Sequence, residues 1–140
     1  MGDCAILEPW PDTVTGLTRL KRRFTIATLS NADVSAVVTM SKHGGLPWDA
    51  VFTAEMAGVF KPDPASYRMA ARYLGLPHER ITMVACHKYD LRAAAALGFR
   101  TAFVARPLEF GPGGVVDTTF DDSFDINAAD FLDLADQLGC

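Results

Sequence analysis

Cysteine is scarce in this chain of 140 residues: Cys4, Cys86 and Cys140 are three in number, far apart, and form no CxxC pair. An odd and scattered set excludes a disulfide framework and a cysteine zinc site. It suits a reducing compartment, so the expected location is cytoplasmic. Long apolar runs are missing as well. No stretch approaches the roughly 18 apolar residues of a membrane span, and Met1-Gly2-Asp3-Cys4 has no basic n-region of a signal peptide. No membrane partner is therefore expected. Ile6 stands where a myristoylation signal needs Ser or Thr. Positive charge is also thin, with 13 Lys and Arg against 17 Asp and Glu and a net charge of −4. The one basic run, Lys21-Arg22-Arg23, fits a helix carboxyl end, where cations meet the dipole. Nucleic acid is not an expected partner.

What remains is ordinary globular material, 49% hydrophobic and 21% charged. A single domain of this length buries a core without a metal or disulfide staple. The hydrophobic spacing alternates between helix and strand. Helices are expected over 12–23, with Asp12 as N-cap, and over 33–43, 64–74, 90–97 and 128–138. Strands are expected over 24–30, 50–54, 81–86 and 101–105, and a Gly/Pro/Asp-rich loop over 107–125. Strands without polar alternation, separated by helices, predict an α/β fold with a parallel sheet covered on both faces. No repeat, low-complexity tract or linker divides the chain, so 1–140 is read as a single domain.

In such sheets chemistry lies beyond the carboxyl ends of the strands. Strand 24–30 ends in Ser30-Asn31, the strand at 50–54 leads to Lys61 in "FKPDPASY", and 81–86 runs into "CHKYDL" with His87 and Asp90. Each has a plain structural reading. Ser30-Asn31 is an ordinary N-cap sequence, Lys61 a solvated loop lysine, Asp90 a helix cap, and His87 a partner for backbone groups. Cys86 reads as a buried, inert thiol. Their placement at three successive strand ends favours a shared crevice.

The stretches "LSN", "FKPDPASY" and "MVACHKYDLRAAAALGFRTAFVARPLEFGP" resemble the haloacid dehalogenase superfamily, in the same order. "PWPD", "GLPWD" and "DFLDLADQLG" place the likeness nearest the type II 2-haloacid dehalogenases, over about Pro9 to Gly139. The resemblance implies a Rossmann-like core and a role for each matching residue. Ser30 supplies a hydroxyl to the reacting group, and Asn31 helps hold the substrate carboxylate. Lys61 balances the charge of the nucleophilic carboxylate, and Tyr67 lies near the substrate. Asp90 is the distal acid of the fourth motif, and His87 stands where other members place Asn. The substrate class implied is a small 2-haloacid or other small carboxylate. Phosphatases of the superfamily hold Mg²⁺ with a D-x-x-x-D pair, but Cys86 occupies the first of those positions. Hard Mg²⁺ prefers oxygen to a thiol, so no metal or other cofactor is expected. A halide-displacing carboxylate needs none.

The superfamily's first motif, an N-terminal strand ending in D-x-x-x-[T/V] with the nucleophilic aspartate, has no counterpart in these 140 residues, nor does the helical cap that follows it. The chain reads as a partial core, expected to be inactive alone. The alternatives are a non-catalytic remnant that binds a small anion or a partner chain, and a phosphatase relative. The missing strand belongs between 24–30 and 81–86. Three outcomes follow: direct pairing of those strands, insertion of Cys4–Pro9, or association of copies through the vacant strand position. The last is expected.

Overall fold

The computed structural model describes residues 12–106 and 116–140. Helix and strand alternate as α1 (Thr13–Lys21), β1 (Ala27–Ser30), α2 (Val34–Gly44), β2 (Ala50–Thr53), α3 (Ala54–Ala57), α4 (Pro64–Leu74), β3 (Thr82–Ala85), α5 (Lys88–Ala96), β4 (Arg100–Val104), β5 (Ile126–Ala128) and α6 (Phe131–Gln137). A 3-10 turn, His78–Arg80, precedes β3. Every strand pairing is parallel. The α/β class is as the sequence predicts.

The sheet, however, is in two parts. β1 pairs with β2, and β3, β4 and β5 form a second sheet in that order. Among the described residues no backbone hydrogen bond joins β1 to β3. Direct pairing of the two strands, one of the three outcomes above, does not occur. Cys4–Pro9, the second candidate filler, lies outside the described residues.

Helix α4 holds the halves together. Its Met69 and Ala70 pack with Phe52 of β2, while its Tyr67 and Ala71 pack with Met83, Leu91 and Phe103 of the other half. Leu29 of β1 touches both clusters. The split follows from helical geometry, because adjacent residues 70 and 71 point about 100° apart. On the opposite face of β4, Ala102 and Val104 pack under α1 and α6 through Leu17, Leu20, Leu134 and Ala135. Gly16 makes that helix pair close. A Cβ there would sit 2.6 Å from the Cβ of Phe131.

Several boundaries differ from the sequence expectation. The strand predicted over 24–30 begins only at Ala27, because the N–H groups of Arg23 and Phe24 still bond back to Leu20 O at 3.1 and 2.9 Å, and Ile26 N bonds the Asp49 carboxylate at 2.8 Å. Asp12 is not a side-chain cap of α1. Both its oxygens meet Arg106 at 3.0 Å, and Oδ2 also accepts from Phe131 N at 2.7 Å. Its carboxylate thus ties the starts of α1 and α6 to the end of β4. Within the predicted loop, 107–115 lie outside the described residues. Just past its end, Ile126–Ala128 adds the unexpected strand β5, started by a Thr101–Asp125 exchange in which Thr101 N donates to Asp125 Oδ2 at 2.8 Å. Helix α6 starts at Phe131 rather than 128, because Asp130 caps it by accepting from Asp133 N at 2.7 Å.

Candidate active site

Lys61 follows β2 and the short α3, and the "KPDP" that contains it starts α4. Asp63 accepts from Ala65 N at 2.9 Å, and Pro64 opens the helix, where its missing N–H costs nothing. The ammonium of Lys61 reaches Asp90 Oδ2 on the first turn of α5 at 2.6 Å. The pair is buried, with side chains 11% and 4% exposed. From α4, Tyr67 donates its hydroxyl to the other oxygen, Asp90 Oδ1, at 2.5 Å. Tyr67 is fully buried. That burial, and then its bond to the Asp90 carboxylate, push the phenol well above its ordinary range and keep it protonated.

Asn31 joins the same network from the end of β1. Its Oδ1 accepts from Lys61 N at 2.8 Å, and its Nδ2 donates to Lys61 O at 3.4 Å. Four of the six expected residues, Asn31, Lys61, Tyr67 and Asp90, thus form one connected group across both half-sheets. Ser30 does not bond to that group; its Oγ accepts from Ala32 N at 3.0 Å, next to Asn31. A hydroxyl that accepts there keeps its own proton for a second partner. His87 precedes α5, and its carbonyl accepts from Asp90 N at 3.2 Å. Its ring stacks on Tyr89 with centroids 5.8 Å apart and planes at 15°.

Two placements correct the sequence reading. Ser30-Asn31 does not cap α2; Asp33 does, accepting from Ala36 N at 2.9 Å. Glu55 of α3 also accepts from Val34 N at 2.8 Å. The start of α2 is therefore already served by two carboxylates and offers those N–H groups to no anion. Nothing marked Glu55 in the sequence, since it contacts a residue 21 positions away. Lys88 was also missed. It lies against Phe103, 5.5 Å from the ring centre, and binds Thr119 Oγ1 at 2.7 Å and Asp117 Oδ2 at 3.1 Å. These contacts fasten residues 117–119 beside the start of α5. Among the described residues, no three His, Cys, Asp or Glu side chains gather as a metal ion would require. No helix of the described residues is long and apolar enough to cross a membrane.

The parallel α/β core thus carries a buried lysine–carboxylate pair beyond its strand ends. The family model of haloacid dehalogenase-like hydrolases matches residues 2–98, and the chain belongs to that family. Among curated relatives, (S)-2-haloacid dehalogenase H-109 of Pseudomonas putida is 31% identical over 103 residues, covering 71% of this chain and 46% of that protein. The (S)-2-haloacid dehalogenase of Xanthobacter autotrophicus is 33% identical over 105 residues, covering 71% and 40%. The chain thus spans about half the length of the curated relatives it matches. Among solved structures, a defluorinating L-2-haloacid dehalogenase superimposes with a TM-score of 0.93 at 42% identity, covering 98% of this chain and 56% of that one. The Xanthobacter autotrophicus L-2-haloacid dehalogenase with chloropropionic acid covalently bound gives 0.82 at 25% identity, covering 97% and 63%.

Proposed function

We propose that this chain is core machinery for hydrolysing the carbon–halogen bond of a small 2-haloacid. The observation that supports it best is the Asn31–Lys61–Asp90–Tyr67 group, which places one buried cation between the carboxyl ends of β1 and β3. In this reading a carboxylate, carried on a strand lying between β1 and β3, attacks the carbon bearing the halogen. The new C–O bond forms as the C–X bond breaks, and the halide leaves with the electron pair. Water then hydrolyses the aspartyl ester, freeing a 2-hydroxy acid and restoring the carboxylate. Lys61 holds the nucleophile ionised and in place, and Asp90 and Tyr67 hold Lys61. Ser30 supplies its hydroxyl to the reacting group, Asn31 helps hold the substrate carboxylate through the second N–H of its Nδ2, and His87 lines the same edge. The relative with chloropropionic acid covalently bound lends the covalent step its support.

Among the described residues no strand ends in D-x-x-x-[T/V], so in this reading the isolated chain is inactive. Halide release from 2-chloropropionate should stay at background for the chain alone and appear when a peptide bearing such a strand is added. Robust release by the chain alone, surviving Asp3→Ala and Asp12→Ala, overturns this assignment of roles. The edges of β1 and β3 that have no partner among the described residues also support association of copies, which sedimentation velocity at rising concentration reads directly.

A further inference from the structure

Resting on the dehalogenase reading, we propose that Asn31 is a positioning residue for Lys61, holding its backbone while Asp90 holds its ammonium. The motif position alone suggests only a ligand for the substrate carboxylate. The geometry adds a second duty. The carboxamide of Asn31 brackets one peptide unit, accepting from Lys61 N at 2.8 Å and donating to Lys61 O at 3.4 Å. That two-point pattern is the one by which a strand residue meets its partner in a ladder. Here a side chain supplies it, 30 residues away in sequence.

Nothing else at the end of β1 calls for this amide. After β1 the N–H groups of Ala32, Val34 and Ala36 are served by Ser30 Oγ, Glu55 and Asp33 in turn. Asn31 is thereby released from capping and turned toward the loop that carries Lys61. The lysine is then fixed at both ends, its backbone to the β1–β2 half and its Nζ to the β3–β5 half at 2.6 Å. A free lysine side chain has rotamer entropy to lose on ordering. Anchoring its backbone confines where the charge can travel, which is what a group acting on a reacting carboxylate requires.

The test reads the ammonium itself and needs no turnover. Trace acetylation with acetic anhydride, followed by peptide mapping, gives relative rates for the four lysines, with exposed Lys42 as the reference and ion-paired Lys88 as the control. In Asn31→Ala and Asn31→Ser the Lys61 rate should rise about fivefold relative to Lys88, the factor set by losing one net hydrogen bond. Asn31→Asp keeps the oxygen facing Lys61 N but loses the donor to Lys61 O, so its Lys61 rate should fall between wild type and the Ala variant. A Lys61 rate unchanged in a folded Ala or Ser variant overturns the proposal. So does a joint rise of Lys61 and Lys88, or failure of both variants to fold, since each makes Asn31 merely a folding residue. Absence of halide release with the added strand would count against the dehalogenase reading and leave these rates as they are.

Discussion

The two half-sheets are built from similar strands, yet they are buried very differently. In β4 of the three-stranded half, Ala102 and Phe103 are fully buried and Val104 nearly so, whereas no residue of β1 is fully buried. β4 is paired on both edges and covered on both faces, by α4 and α5 on one and by α1 and α6 on the other. β1 has one pairing partner and an edge with none among the described residues. Apolar sequence is therefore a poor guide to burial for a strand with one edge unpaired among the described residues. The same difference locates the chemistry, because the lysine–carboxylate pair spans the join between the halves.

The comparison breaks most visibly in the cores. Phe103→Ala should cost about 3–5 kcal/mol in urea unfolding, since Phe103 is 0% exposed, stacked on Phe124 and edge-on to Phe120. Phe52→Ala, 8% exposed in the other half, should cost less by about 1 kcal/mol or more, as the looser site collapses around the lost ring. Equal losses would mean that the halves are equally packed.

A smaller effect should come from the join. Asp90→Ala leaves the Lys61 ammonium without its carboxylate in a buried place and the Tyr67 hydroxyl with only its 3.3 Å bond to the carbonyl of residue 90, and should cost about 3 kcal/mol. Amides of 27–30 should then exchange faster while those of 101–104 hold. A loss under about 1 kcal/mol would show that α4 alone keeps the halves together.

Acid should act within the three-stranded half. Burial raises the carboxyl of Asp12, but the Arg106 hydrogen bonds, the Phe131 N–H and the Arg106 charge outweigh it and leave it below the usual 3.8. A lowered carboxyl stabilises the fold above its unfolded value, and that contribution is lost as pH falls through its folded value. Unfolding midpoints should therefore drop below about pH 4, and Asp12→Asn should flatten that drop. An unchanged pH profile would remove the clamp from the explanation. The mildest test leaves the protein untouched. Native hydrogen exchange should be faster at the amides of β1 than of β4, and equal protection would mean that β1 has found a partner.

These contrasts also mark what the sequence revealed. Lys61, Asp90 and the order of elements were legible because each lies at a fixed place after an apolar run. Asn31 bonding to Lys61, and Asp12 to Arg106 across 94 positions, leave no periodic trace, because a short polar side chain has several partners within reach until the fold is known. β5 escaped for a related reason. Three residues between Asp125 and Ala129 carry no alternation, and they form a strand only because β4 offers an edge.

The close contact at Gly16 has a consequence for biosynthesis. Its helix, α1, is the first described element to leave the ribosome, and α6, against which it packs, is the last. Arg19 must wait for Asp136, 117 residues later, before the two helices can join. At translation rates of about 5–20 residues per second, that delay is on the order of ten seconds. For that time Leu17 and Leu20 have no α6 to cover them, and chaperones have their best opportunity to bind the nascent chain.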